Sequence, residues 1–407
     1  MLKKIIKNKT LCNDISQFIN YVIGYGMVLF LNYGLNFLVN KKLTVNELGL
    51  FSYVQGLINI IFPILCLGFF NSYLRYHKDH TLSVKLLRTA RPFYLFSALG
   101  CAIVIGIITK SFMSPLYALI VFFTEKQYIL RVQMQIWKLN FLRCLELLVP
   151  LICMATLFLM NKDVEASWLL FFYGVGFCTS FLFSSKSKIN NDDVPKKELV
   201  KYLFPVVGTS MITYLLLNIG VIFAKSKFGL QGAAEWGVAF RCVMIYKSLT
   251  ALFLIFFPMI YFREAQKGNY KIINTYRIGI ILFALAAFLP FALFPDFIYT
   301  LSGAAKYKET SALLVLLICA ELCNFTASLY GLFFNFEIKT WKNTIFKGAE
   351  LILFSIGILF SAQTSILMLG VIYLVVSATI LVLILYFSIS QELRYFKAVH
   401  QKKEFLS

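Results

Sequence analysis

Apolar runs long enough to cross a bilayer recur from Ile15 to Phe387, and short polar stretches between them carry most of the charge. The pattern predicts twelve helices, over 16–39, 48–72, 92–109, 112–130, 144–160, 166–184, 203–224, 236–260, 278–294, 310–336, 345–360 and 364–388. The fourth has the shortest apolar stretch and runs into Glu125 and Lys126. Strand alternation is absent, and the Leu, Ile and Phe runs are too long for barrel strands, so the spans are helical. Spans of about 20 residues use roughly 240 positions and leave about 13 for each connecting segment, too few for an extramembrane domain. The expected fold is an all-α polytopic membrane protein.

Composition agrees. The 407 residues are 59% hydrophobic and 14% charged, with a mean hydropathy of +0.77, which excludes a water-soluble domain of this length. The net charge of +20 would suggest nucleic acid in a soluble protein. No aromatic-interleaved basic patch, zinc spacing or recognition helix accompanies it, so a nucleic-acid partner is set aside. Placed on the predicted topology, 29 basic residues lie on the side of the N-terminus and 8 on the other. The 8 are Lys41, Lys42, Lys110, Lys162, Lys225, Lys227, Lys306 and Lys308, while Arg241 and Lys247 fall inside a span. That asymmetry orients both termini to the cytoplasm of a bacterial inner membrane and makes anionic inner-leaflet lipids the expected contact of the excess charge. Met1–Asp14, with Lys3, Lys4, Lys7 and Lys9 and no small-residue cleavage site, reads as a retained start. The nine cysteines are scattered, and all but Cys12 lie in apolar segments, where they act as small hydrophobes.

Self-similarity appears at a shift of 188 positions: Glu47-Leu48-Gly49-Leu50 aligns with Glu235-Trp236-Gly237-Val238, and Tyr73-Leu74-Arg75 with Tyr261-Phe262-Arg263. Each pair brackets one predicted helix, the second and the eighth. Two parallel six-helix halves follow, 1–185 and 202–407, joined by a polar cytoplasmic linker at 186–201 that contains Pro195.

Asn46-Glu47-Leu48-Gly49-Leu50-Phe51-Ser52-Tyr53, Leu67-Gly68-Phe69-Phe70 and Tyr73-Leu74-Arg75-Tyr76 resemble the opening of bacterial polysaccharide-transporter proteins. These are the Wzx-type flippases of the multidrug/oligosaccharidyl-lipid/polysaccharide (MOP) exporter superfamily. The motif covers about the first 80 residues, and the helix count, orientation and lobe division agree along the chain. The resemblance implies two pseudo-symmetric six-helix bundles forming a V. It also implies movement of an undecaprenyl-diphosphate-linked oligosaccharide, an O-antigen or capsule repeat unit, to the outer leaflet, with the polysaccharide polymerase machinery as a partner.

Enzymatic readings find little support. The fragments Gly303–Lys306 and Lys347-Gly348 lack the spacing that cradles phosphates, so no ATP hydrolysis is expected. His77 and His80 have no acidic or cysteine partners and read as a solvated loop, and Asp192-Asp193 sits among lysines. A polymerase or transferase needs catalytic groups in sizeable outer loops, and these are short. A drug and cation exporter of the same superfamily is the second transporter reading, disfavoured by two basic groups on one helix.

Ionisable residues inside the spans are the informative ones, because a charge there is costly unless it faces a cavity or a partner. Counted from the outer ends of helices 8 and 10, Lys247 and Glu321 both lie about 18 Å deep, and Arg241 about 9 Å. Arg241 either snorkels to the interface or attracts a diphosphate or acidic sugar. Lys247 and Glu321 form a structural ion pair, or Glu321 titrates and couples transport to a proton or sodium gradient. Glu146 and Glu350 lie near the inner ends of helices 5 and 11, within a turn of Arg143 and Lys347. Asn32 and Asn36 on helix 1, and Ser52, Gln55 and Asn59 on helix 2, form polar stripes that are sugar donors or interhelical hydrogen bonds. The candidate substrate residues are thus Arg241, Lys247, Asn36, Gln55 and Asn59, and the candidate ion-coupling residues are Glu321, Glu350 and Glu146. No metal site is expected.

Overall fold

The computed structural model of the chain describes residues 9–65, 80–132, 135–182, 196–336, 340–360 and 365–404. Tyr73-Leu74-Arg75, His77 and Asp192-Asp193 lie outside them. Within these residues the predicted segments fall on helices, the fourth only from Ser114 onward. These are α1 (Lys9–Lys42), α2 (Val45–Leu65), α3 (His80–Thr109), α4 (Ile120–Val132) behind a 3-10 turn Ser114–Leu119, α5 (Ile136–Leu159) and α6 (Ala166–Cys178). The element Lys196–Gln266 is interrupted at Gly229 into α7 (196–228) and α8 (230–266). Then come α9 (Tyr270–Leu293), α10 (Ser311–Phe336), α11 (Thr340–Phe360) and α12 (Ile366–Glu404). Among the described residues, eight helices are long and apolar enough to cross a membrane, and no strand is present. The chain forms two compact units, Met1–Met211 and Ile212–Ser407.

Local chemistry sets where the helices stop. At Gly229 the backbone takes φ +69° and ψ −160°, outside the helical region and strained for any residue with a Cβ, so one glycine separates α7 from α8. Asn161, at φ 53°, ends α5: its N–H meets Phe158 O while Lys162 N–H meets Leu157 O, so two of the last orphan carbonyls are satisfied. Gly268 ends α8 by the same pair of bonds.

In the first unit, α6 is drawn close to its neighbours because it carries glycines there. A Cβ at Gly174 would meet the Leu116 backbone at 2.6 Å, and one at Gly176 the Glu146 carbonyl oxygen at 2.5 Å. Around that contact Tyr117 meets Tyr173 and Phe177 edge-on, at 6.1 and 5.4 Å between ring centres. Thr44 Oγ1 accepts the Glu47 N–H at 3.3 Å, capping α2. The Glu47 carboxylate then reaches across to accept the Ala166 N–H at 2.6 Å, one of the unpartnered donors that open α6. Glu47→Ala should lower stability by about 1 kcal/mol, the usual worth of such a cap, while Glu47→Gln keeps part of it. The thermal midpoint of the purified chain in detergent checks this, and an unchanged midpoint in the alanine variant removes the cap from the account.

In the second unit α10 packs against both α9 and α12. There the structure corrects the expectation for Arg277, which the charge pattern assigned to an inner loop before a helix beginning at 278. α9 begins at Tyr270, and Arg277 is inside it and fully buried. Its guanidinium donates to both carboxylate oxygens of Glu392 on α12, at 3.1 and 2.8 Å, and stacks over the Tyr330 ring at 4.2 Å. Tyr261 donates a further bond to Glu392 at 2.7 Å. A charge that bordered an apolar run in the sequence is thus half of a buried, bidentate pair.

Candidate functional site

Four helices of the second unit converge on one polar network. α8 contributes Lys247, α10 Glu321 and Asn324, α11 Lys347 and Glu350, and α12 Tyr373 and Ser377. Helical spacing supplies the arrangement: Glu321 with Asn324 and Lys347 with Glu350 are three apart, and Tyr373 with Ser377 four apart, so each pair shares a face.

The bonds run continuously. Lys247 Nζ lies 3.2 Å from Glu321 Oε2 and 3.3 Å from Oε1. Tyr373 donates to Glu321 at 3.5 Å and accepts from Asn324 Nδ2 at 3.4 Å. Asn324 Nδ2 also reaches Ser377 Oγ at 3.3 Å, and Ser377 donates to Glu350 Oε1 at 3.4 Å. Lys347 closes the path, 2.6 Å from Glu350 Oε2 and 3.2 Å from Asn324 Oδ1. Aromatic rings fix its centre, since Tyr373 packs edge-on against Trp236 of α8 and Phe354 of α11.

Two carboxylates and two ammonium groups balance, which is how ionised groups persist inside a bundle. The burial is asymmetric. Glu321 and Glu350 side chains are 6% and 1% exposed, whereas Lys247 is 32% and Lys347 23%.

The other sequence candidates fall elsewhere. Arg241 lies on α8 at intermediate burial, within electrostatic reach of Tyr307 in the segment that follows the short helix Pro295–Leu301. That segment is pinned to α8 by a 3.5 Å contact between Cys242 Sγ and Ser302 Oγ. Tyr299, in the short helix itself, donates to the Thr310 carbonyl at 3.4 Å, and burial holds its hydroxyl well above the ordinary tyrosine range, so it stays a neutral donor. In the first unit, Gln55 hydrogen-bonds the buried Tyr117, and Glu146 on α5 bears electrostatically on the same hydroxyl and on Arg143. Asn59 follows Gln55 by one turn on α2, and Asn36 donates to Asn32 at 3.1 Å within α1. The structure thus joins Lys247, Glu321 and Glu350 in one network and groups Gln55 with Glu146 around Tyr117. It places Arg241 and Asn36 in neither. Glu47 and Glu235, equivalent in the repeat, differ in their bonds, since Glu235 accepts from Gln231 at 2.9 Å on its own helix. Among the described residues no cluster of His, Cys, Asp and Glu is arranged to hold a metal.

Sequence reasoning missed Asn324, Tyr373 and Ser377. Each lies one turn from another of them or from Glu321, a spacing that gains meaning only once the helices are seen in contact.

No family profile and no curated protein matches the chain. Solved structures do. A multidrug resistance MATE family transporter of the MOP superfamily in an outward-facing conformation aligns with 94% of this chain and 96% of its own, at TM-score 0.66 and 15% identity. The chain has the MATE transporter fold. An inward-facing conformation of a MATE transporter aligns at TM-score 0.64 and 14% identity, over 93% of this chain and 99% of that one. A MATE crystal structure in the straight conformation aligns at TM-score 0.64 and 15% identity, over 94% and 96%.

Proposed function

We propose that this chain is a transporter working by alternating access, and that its cargo is an undecaprenyl-diphosphate-linked oligosaccharide moved from the inner to the outer leaflet. The solved relatives of its fold are described in both outward-facing and inward-facing conformations, as alternating access requires. The observation that carries the cargo class is the state of the buried carboxylates. Glu321 and Glu350 already hold lysines at 3.2 and 2.6 Å, so a cationic drug would have to displace an ammonium to reach either. A diphosphate meets Lys247 directly, while Arg241, six positions earlier and about 9 Å along α8 on a different face, is a separate cation on the cargo's route, of the kind that binds phosphate oxygens in pairs. When the cargo takes Lys247, Glu321 is freed to bind a proton or sodium, which couples loading to an ion gradient. The polymerase machinery then receives the repeat unit outside.

The test is a leaflet assay with the purified full-length chain in vesicles. Labelled undecaprenyl-diphosphate oligosaccharide placed in one leaflet should reach the other faster than in protein-free vesicles, and faster still under an imposed proton or sodium gradient. No acceleration, together with gradient-driven efflux of a cationic dye, transfers the assignment to the drug-exporter reading.

A further inference from the structure

A cavity of about 530 Å³ lies within the first unit between α1 and α5, lined by Gly26, Phe30 and Leu31 on one side and Asn140, Phe141 and Leu148 on the other. Its walls open sideways, since Phe30 is 77% and Phe141 49% exposed. The lining is apolar but for Asn140. That residue is 2% exposed, and neither its Nδ2 nor its Oδ1 has a hydrogen-bond partner. Its carboxamide occupies the space where any Cβ at Gly24 of α1 would have to go, so the contact between the helices is built around the amide. Buried amides with both atoms unbonded are rare in native folds unless something supplies the partner.

We propose that this groove is a binding site for an anionic glycerophospholipid, one acyl chain lying along the apolar walls and an oxygen of its glycerol-phosphate region on Asn140. The site is independent of what the chain carries. A hydrocarbon with a single polar group matches the lining, whereas a sugar or a polar drug would leave its own hydrogen bonds unmet. The end of the groove fixes the depth: Trp137, 69% exposed, stands three residues before Asn140, about 4.5 Å along α5, where an interfacial tryptophan places the glycerol level of the bilayer. Lys138 is exposed beside it, so the polar end meets a cation, while Arg143, three residues deeper on α5 than Asn140, is held over the Tyr25 ring of α1 at 5.5 Å. Since Asn140 presents an unmet donor and an unmet acceptor, the best fit is a lipid that brings both, and phosphatidylglycerol does so with its ester and phosphate oxygens and its headgroup hydroxyls.

Two variants separate occupancy from folding. A Cβ at Gly26 meets nothing within 4 Å, and leucine is the better helix former, so Gly26→Leu fills the groove without disturbing α1. Asn140→Leu removes the polar contact at similar volume. The full-length chain, purified in mild detergent, is mixed with phosphatidylglycerol or phosphatidylcholine and examined by native mass spectrometry and thermal unfolding. The wild type should retain one phosphatidylglycerol in preference to phosphatidylcholine and gain thermal stability from it. Retention should fall about fivefold or more in Asn140→Leu, the factor that one hydrogen bond typically carries, and at least as far in Gly26→Leu, whose side chain takes the place of the acyl chain, and in both the lipid-dependent gain should disappear. Equal retention of the two lipids overturns the proposal. So does unchanged retention in the variants, above all if Asn140→Leu raises the midpoint, because the amide is then only an unsatisfied core group. Displacement of phosphatidylglycerol from the groove by undecaprenyl phosphate would equally overturn it.

Discussion

Removing the Glu392 carboxylate should deplete the folded protein more than any other single change in the second unit. Arg277 and Glu392 are both 0% exposed, so the guanidinium left behind in Glu392→Ala has no water to turn to. Breaking a buried pair from one side typically costs about 3–5 kcal/mol, because the survivor stays charged and unpaired. Against a total stability on the order of 5–15 kcal/mol, that empties most of the native population. Arg277→Lys should do almost as badly. A lysine cannot donate to both oxygens at once, nor lay a flat cation over the Tyr330 ring 4.2 Å away. Replacing both together, Arg277→Met with Glu392→Leu, removes the charge problem at similar volume and should recover most of the membrane-inserted protein. Tyr261 is the remaining cost in that double variant, since its hydroxyl loses the acceptor it holds at 2.7 Å. Membrane abundance and thermal unfolding of the two single variants and the double decide the matter. If the double is no better than Glu392→Ala, the pair is not what fails.

That pair also marks where reading the sequence stops working. Span positions are legible because a stretch of about twenty apolar residues has few alternatives in a chain this hydrophobic. Helix ends are less so. Arg277 and Glu392 each border an apolar run, and linear hydropathy treats a charge at such an edge as the start of a loop. Only the neighbouring helices can make burial affordable there, Tyr261 and Tyr330 on two of them and the opposite charge on a third. The helices at these sites run on past the predicted ends, α9 from Tyr270 and α12 to Glu404, so both charges lie within a packed bundle.

The candidate site was legible to the extent that it is charged. Depth counting along α8 and α10 gives Lys247 and Glu321 a common depth, and the structure brings them to 3.2 Å. Lys347 and Glu350 follow from spacing on one helix. The neutral members, Asn324, Tyr373 and Ser377, carry no cost that singles them out, since a serine or tyrosine in a span is ordinarily satisfied by its own backbone or by the interface. What reveals them is contact between helices more than 20 positions apart in the chain. The same limit applied to Asn32 and Asn36, whose stripe admitted two readings: the structure shows a bond between them within one helix.

The second large effect is expected at Lys247 and Glu321, and it should take the opposite form, loss of transport with little loss of protein. The two ion pairs of this unit differ in one physical respect. Arg277 and Glu392 are sealed, while the Lys247 side chain is 32% exposed with Glu321 behind it at 6%. In Lys247→Ala, Tyr373 still donates to Glu321 and water can enter from the vacated side, so the carboxylate is not stranded as an arginine would be at 277. Glu321→Gln keeps an acceptor for Tyr373 and removes only the charge. Both variants should therefore accumulate in membranes near the wild-type level. In the leaflet assay each should slow the lipid-linked oligosaccharide at least tenfold, roughly 1.4 kcal/mol on the barrier, because one lacks the cation that meets the diphosphate and the other the carboxylate that exchanges it for the coupling ion. Glu321→Gln should in addition lose its response to the imposed gradient while Lys247→Ala retains some, a distinction that a merely architectural pair has no reason to produce. If instead Lys247→Ala lowers membrane abundance and the double change with Glu321→Ala restores both abundance and transport, the pair holds helices together and takes no part in moving the cargo.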